Sequence, residues 1–156
     1  DSGNADIFND DEGVIFLEGK IPNANVSWFR CISLSDGAIN NYTNNIIFQY
    51  RIDGSFRVYV GGLTDSNINF LISNIDLSEN YKIAFQYQSL TDNKLFIDGV
   101  EQTKYVSFTP TTLNGLNRLD FTMNNNISLA WEGKVNDLRY FDETLTDAEL
   151  IELTTL

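Results

Sequence analysis

The sequence predicts one all-β domain, a jelly-roll or β-sandwich, closed by a single short helix at its C-terminal end. Three observations predict it. Short β-branched and aromatic runs recur along the chain, separated by clusters of Asn, Asp, Gly and Ser. Hydrophobic residues make up 42 % and aromatics 13 %, with 11 Phe and 7 Tyr, which is too apolar for a disordered chain. Helix start signals and helical spacing coincide only near the C-terminus. A chain of 156 residues is of ordinary single-domain length. It buries roughly two-thirds of its unfolded surface, enough for a core without covalent staples. Two prolines, no low-complexity stretch and no internal repeat argue against an internal linker. The polar residues 1–10 read as a tail or linker, and 11–156 as the domain.

Strands are expected, in order, at Val14–Ile21, Ser27–Leu34, Asn45–Ile52, Ser55–Gly61, Ile68–Ile72, Tyr81–Ser89, Lys94–Ile97, Val100–Tyr105, Leu116–Phe121 and Ser128–Phe141, the last broken by a bulge. The hairpin around Asp53-Gly54 can be read to the residue. A two-residue loop would pair Tyr50 with Arg57 and Phe48 with Tyr59, mixing polar and apolar side chains on one face. A three-residue loop, Ile52-Asp53-Gly54 with Gly54 left-handed, shifts the register by one. Ile46, Phe48, Tyr50, Phe56, Val58 and Val60 then share one face, and Ile47, Gln49, Arg51, Arg57 and Tyr59 the other. A one-residue slip inverts every side chain, so the pattern selects the second register. Tyr81–Ser89 is two-faced as well, with Ile83, Phe85 and Tyr87 opposite Ala84, Gln86 and Gln88. Leu95 and Ile97 are core candidates, and Asp98-Gly99 makes a second tight turn. Thr146-Asp147-Ala148-Glu149 fits a capping box, and Leu145, Leu150 and Leu153 mark the face the helix packs.

Charge and missing residues narrow the function. The formal net charge is −12, with only 10 Lys and Arg, scattered along the chain. Nucleic acid and anionic membranes are disfavoured because the field of the domain repels them, whereas an uncharged sugar meets no such penalty. No apolar run reaches the 18 or so residues of a membrane helix. No basic segment followed by an apolar stretch marks a signal peptide. There is no histidine, so the commonest general base, the Ser-His and Cys-His nucleophile systems and the usual zinc ligands are missing. The single cysteine, Cys31, forms no intrachain disulfide and reads as a small buried hydrophobe. Neither phosphate-loop nor dinucleotide glycine motif occurs. Paired carboxylates remain a route to glycoside hydrolysis. The candidates Asp10/Asp11/Glu12, Asp142/Glu143 and Asp147/Glu149/Glu152 sit in a terminus, a turn and a helix start, where acids are surface charge or caps. The expectation is a protein that is not an enzyme.

Binding candidates remain. Aromatic rings stack on the C–H faces of sugars while amides and guanidinium groups bond the hydroxyls. Tyr59 lies on the expected polar face beside Gln49, Arg51, Arg57, Gln86 and Gln88. Tyr42, in an Asn-rich loop, adds a rim contact. Trp28 and Trp131 read as packing residues. The oxygen-rich loop Asn9-Asp10-Asp11-Glu12-Gly13, together with Asp137, is a weak candidate for a structural calcium ion, and no other cofactor is expected. Glycosylation sequons at Asn25, Asn41 and Asn126 number about what chance produces at this composition.

The stretch Glu132-Gly133-Lys134-Val135-Asn136-Asp137-Leu138-Arg139-Tyr140-Phe141, running into Leu145-Thr146-Asp147-Ala148-Glu149, resembles the C-terminal signature of the concanavalin A-like lectin/glucanase superfamily in its laminin-G-like branch. Tyr81–Phe85 and Leu95-Phe96-Ile97-Asp98-Gly99-Val100 are similar to the central hairpin of that branch. The resemblance runs from about Val14 to the end. It implies two curved antiparallel sheets with a concave face, and a carbohydrate-binding or adhesion module working outside the cell, with phage head and tail fibres among its settings. The Glu-x-Asp-x-(x)-Glu strand of the glucanase members is absent. Calcium near the N-terminus and the final strand is common in such domains, and Asp137 matches the acidic strand position. The reading is therefore a non-catalytic lectin-like module for a glycan or polysaccharide. The alternative is a structural or decoration domain of a virion or cell-surface protein, acting through protein contacts.

Overall fold

The computed structural model describes residues 7–21, 29–38, 44–61, 67–73, 75–76, 79–88, 92–105, 112–122 and 130–155. In chain order the elements are β1 (Glu12–Lys20), β2 (Phe29–Ser35), β3 (Asn45–Arg51), β4 (Phe56–Val60), β5 (Ile68–Ile72), β6 (Asn80–Gln88), β7 (Lys94–Ile97), β8 (Val100–Glu101), β9 (Arg118–Asp120), β10 (Lys134–Phe141) and α1 (Asp147–Thr154). The strands form two five-stranded sheets ordered β10-β1-β6-β7-β8 and β5-β4-β3-β2-β9, with every strand pair antiparallel. Apolar side chains of β1, β6 and β7 meet those of β2 to β5 in one core. Phe85 of the first sheet stands edge-on to Phe48 and Phe70 of the second, with ring centroids 6.1 Å apart in each case. The expected β-sandwich is the observed fold. Among the described residues, no helix is long and apolar enough to cross a membrane.

The β3–β4 hairpin takes the register that hydrophobicity selects. Tyr50 faces Phe56, Phe48 faces Val58 and Ile46 faces Val60. Arg51 N donates to Ser55 O (3.0 Å) around the loop, and Gly54 has φ +80°, where a side chain is strained. Three strands differ from expectation because the chain changes sheets. After Glu101 it leaves the first sheet, and Tyr105 N donates to Asn69 O of the second (2.8 Å), so β8 stops well short of Tyr105. Ala130 bridges β2 at Cys31, whereas Lys134–Phe141 pairs with β1. The long strand expected there is thus divided between sheets, with Trp131 buried in the core at the crossing. The expected bulge lies opposite Glu18 and Gly19, which pair with Asp137 and Val135 and leave Asn136 extra. Only Arg118–Asp120 of the expected Leu116–Phe121 strand pairs, and Leu116 instead binds the N-terminal segment.

That N-terminal segment is not all tail. Phe8 is 9 % exposed and packs edge-on against Tyr140 at 4.9 Å. Asn9 N donates to Tyr140 Oη (2.8 Å), and Tyr87 Oη donates to Asn9 O (2.6 Å). The capping box forms as expected: Thr146 N donates to Glu149 Oε2 (2.8 Å) and Glu149 N donates to Thr146 Oγ1 (3.3 Å). The helix lays Leu150 on Val14, Phe16, Ala84 and Phe96, covering part of the outer face of the first sheet, with Leu145 and Leu153 beside it.

A Cβ at Gly19 would meet the Lys134 carbonyl oxygen beside the bulge. Gly19→Ala is expected to cost about 1–3 kcal/mol. A thermal melt checks this, with the midpoint falling by roughly 3–10 °C; an unchanged midpoint would show that the β1–β10 pair yields freely there.

Candidate functional site

The polar residues of the second sheet gather on its outer face. Alternation along the paired strands puts Asn45, Ile47, Gln49 and Arg51 of β3 on one face with Ser35, Ser33 and Cys31 of β2, and Gln49 and Ile47 beside Arg57 and Tyr59 of β4. From the hairpin inward these groups form a hydrogen-bonded chain. Asp53 accepts from Arg57 Nη2 (3.1 Å) and from Ser55 Oγ (2.5 Å), while Arg57 Nε donates to Ser55 Oγ (3.0 Å). Arg57 Nη1 donates to Tyr59 Oη (3.4 Å), which donates to Gln49 Oε1 (3.3 Å). Gln49 Nε2 lies 4.0 Å from Cys31 Sγ. The Ser55 hydroxyl, reinforced by Ser55 N and by Arg57 and Arg51, holds the Asp53 carboxyl below its ordinary value against the opposing effect of burial.

Three of the expected site residues, Gln49, Arg57 and Tyr59, are therefore joined, and Arg51 lies half-buried at the same end of the face. Their roles differ from those expected. Tyr59 is 2 % exposed and packs with Cys31, Ile47 and Ile68. Its ring is not open to a sugar, and its hydroxyl positions Arg57 and Gln49 instead. Gln49 is 1 % exposed. Gln86 and Gln88 belong to β6 in the other sheet, so they do not join this face. Gln86 Oε1 accepts from Leu145 N (2.8 Å), a contact that ties the start of the helical segment to the sheet. Tyr42, Trp28 and the three sequons lie outside the described residues.

Two features of this face were not anticipated. Asn45 is fully buried, and among the described residues neither polar atom of its side chain has a hydrogen-bond partner. Arg118 and Asp120 of β9, beside Ser35 and Ser33, form an ion pair at 2.9 Å. The alternation that singles out Gln49 also carries Asn45, two pairs further along the same strand face. Burial pushes the Cys31 thiol up to about 12, ahead of the opposing effects of the Gln49 contact and the Arg30 charge, so the cysteine is inert at neutral pH.

Four of the carboxylates considered for calcium or catalysis already have partners. Asp137 lies against the Arg139 guanidinium at 2.5 Å, a cation already in place. Asp10 accepts from Gly115 N (2.6 Å) and Leu116 N (2.7 Å), Glu149 caps the helix, and Asp147 pairs with Lys94 at 2.5 Å. Among the described residues no three acidic, cysteine or histidine side chains gather as a metal would require.

Two antiparallel sheets with a polar network on one outer face define a lectin-type jelly roll. The chain belongs to the Laminin_G_3 family of the concanavalin A-like lectin/glucanases superfamily, whose model matches residues 21–151. Among solved structures it is similar to the Ruminococcus gnavus IT-sialidase CBM40 bound to α2,3-sialyllactose, with 16 % identity, a TM-score of 0.67 and coverage of 94 % of this chain and 84 % of that one. It is also similar to the leech intramolecular trans-sialidase, with 15 % identity, a TM-score of 0.65 and coverage of 94 % of this chain and 23 % of that one. The NanB sialidase of Streptococcus pneumoniae is alike too, with 15 % identity, a TM-score of 0.66 and coverage of 95 % and 24 %. At these identities the likeness shows the fold. No curated protein matches the chain.

Two expectations follow. Tyr59→Ala should cost about 3–5 kcal/mol by leaving a buried void, whereas Tyr59→Phe keeps the packing and removes only the hydroxyl. Urea melts that place the two variants together would show that packing is not what Tyr59 supplies. Cys31 should resist a thiol reagent at pH 7 in the folded protein and react once urea unfolds it; rapid labelling of the native protein would contradict its burial.

Proposed function

We propose that this domain is a non-catalytic glycan-binding module, with its ligand held at the hairpin end of the outer face of the second sheet. The observation that carries the reading is the chain Asp53–Arg57–Tyr59–Gln49, which holds a guanidinium in a fixed orientation beside the half-buried Arg51. Donors oriented before binding lose little entropy when a polyol or carboxylate docks. Arginine meets a carboxylate with two parallel hydrogen bonds. The ligand class favoured is accordingly an acidic glycan such as a sialoside, and the likeness to a module bound to sialyllactose supports it. An extracellular or virion-surface setting belongs to the same proposal.

The closed state of Tyr59 and Gln49 favours a second reading, a structural or decoration domain that acts through protein contacts. A face without an open aromatic platform suits that role as well as it suits a shallow glycan site.

A glycan array followed by calorimetry with sialyllactose and lactose tests the first reading. Sialyllactose is expected to bind in the range of about 0.1–1 mM, because the exposed contact is small. Arg51→Ala should weaken it about tenfold or more without changing the melt, and chelation should leave it unchanged. Silence across the array, with self-association in solution, would support the protein-contact reading instead. A pH series adds a check on the network. The folded Asp53 carboxyl titrates below its free value of 3.8. Its stabilisation is thus complete above that pH and fades as pH falls below it. Asp53→Asn should abolish that part of the acid sensitivity.

A further inference from the structure

The outer face of the first sheet carries a groove on the opposite side of the sandwich from the Arg51–Arg57 face. Its volume is about 430 Å³, between α1 and strands β10, β1 and β6. That lies within the ~300–1,000 Å³ usual for small-ligand sites. The floor and one wall are apolar, made by Phe16, Phe141, Leu145 and Leu153. Most charges around it already have partners. Lys82 Nζ donates to Thr155 O (2.8 Å), Arg139 pairs with Asp137 and lies over the Phe16 ring at 5.7 Å, and Glu149 caps the helix.

Among the described residues, two carboxylates of the groove are left without a partner. Glu18 stands half-buried on the sheet wall. It faces Lys82 directly in the β1–β6 register, but the ammonium of Lys82 turns away to the end of the helix. Glu152 stands on the helix wall, three residues beyond Glu149. We propose that the groove binds an amino sugar, with the C–H face of the ring on the apolar floor and its ammonium between Glu18 and Glu152. Charge complementarity selects this occupant. The two free groups are both anionic, and the whole chain carries −12, a field that draws in cations. An ammonium adds ion–ion attraction to its hydrogen bonds with both walls, whereas a hydroxyl offers the bond without a charge of its own. The proposal is independent of the site on the second sheet, and either can fail alone.

The test is an NMR titration of the intact domain with glucosamine trimer and, separately, N-acetylglucosamine trimer, near pH 6. Glucosamine trimer should bind, with shifts on β1 and α1 and not on β3–β4, and the acetylated trimer should bind about tenfold more weakly or not at all. A Glu18→Gln/Glu152→Gln double variant with an unchanged melt should lose about tenfold in affinity for glucosamine trimer. Equal binding of the two trimers, unchanged binding by the double variant, or no binding would overturn the proposal. Tighter binding of a lysine-rich peptide at the same residues would assign the groove to a polypeptide and overturn it equally.

Discussion

The architecture depends on two central strands, β1 and β3, that are buried on both faces. Val14–Leu17 and Asn45–Tyr50 each run as unbroken buried stretches. One side of each strand faces the shared core, and the other belongs to a smaller cluster on an outer face. Burying each large apolar side chain contributes about 1.5–3 kcal/mol. The same closure strips water from polar side chains on those outer faces, which costs free energy unless each finds a bond. Most do. Gln49 accepts from Tyr59, Gln86 from Leu145 N, Ser33 donates to the Thr122 carbonyl, and Thr154 donates to Leu150 O while accepting from Gly99 N. Two of these bonds, at Gln86 and Ser33, join a strand to the segment that packs over or beside it.

Asparagine does the same work between loops. Asn44 and Asn114 exchange bonds across 70 positions, Asn117 Nδ2 donates to Asp36 O (2.9 Å), and Asn9 Nδ2 donates to Asp142 O (3.0 Å). A short amide supplies both a donor and an acceptor, so it can stitch two loops whose backbone groups face the same gap. Composition suggests turns at these positions; the structure adds that the turns are tied to one another.

What could be read in the residues was whatever a local pattern decides. The β3–β4 register was legible because the alternative would set Tyr50 against Arg57 and Phe48 against Tyr59, mixing polar and apolar side chains on one face, and the capping box because Thr146 and Glu149 satisfy each other three residues apart. Strand ends at Glu101 and Ala130 were not legible, since a crossing between sheets leaves no mark in a period of two. The grouping of Gln86 and Gln88 with Tyr59 failed for the related reason that sheet membership is a long-range property. Tyr59 itself shows the limit of alternation. The pattern established that Gln49, Arg57 and Tyr59 share a face different from the core, but not whether that face is wet.

That distinction shapes what each face can do. On the second sheet, burial turns Tyr59 from a platform into a strut, and the proposed binding falls to the guanidinium groups at the rim. These local positive charges sit within a domain of net charge −12. An anionic ligand approaching Arg51 is therefore repelled at long range and attracted only at contact, so salt that screens the wider field assists its approach. On the first sheet the relation reverses. The unpaired Glu18 and Glu152 have the same sign as the whole domain, and a cationic ligand is drawn in at every distance. The two outer faces share one scaffold and one way of holding polar groups in place, yet they stand in opposite electrostatic relation to the molecule that carries them.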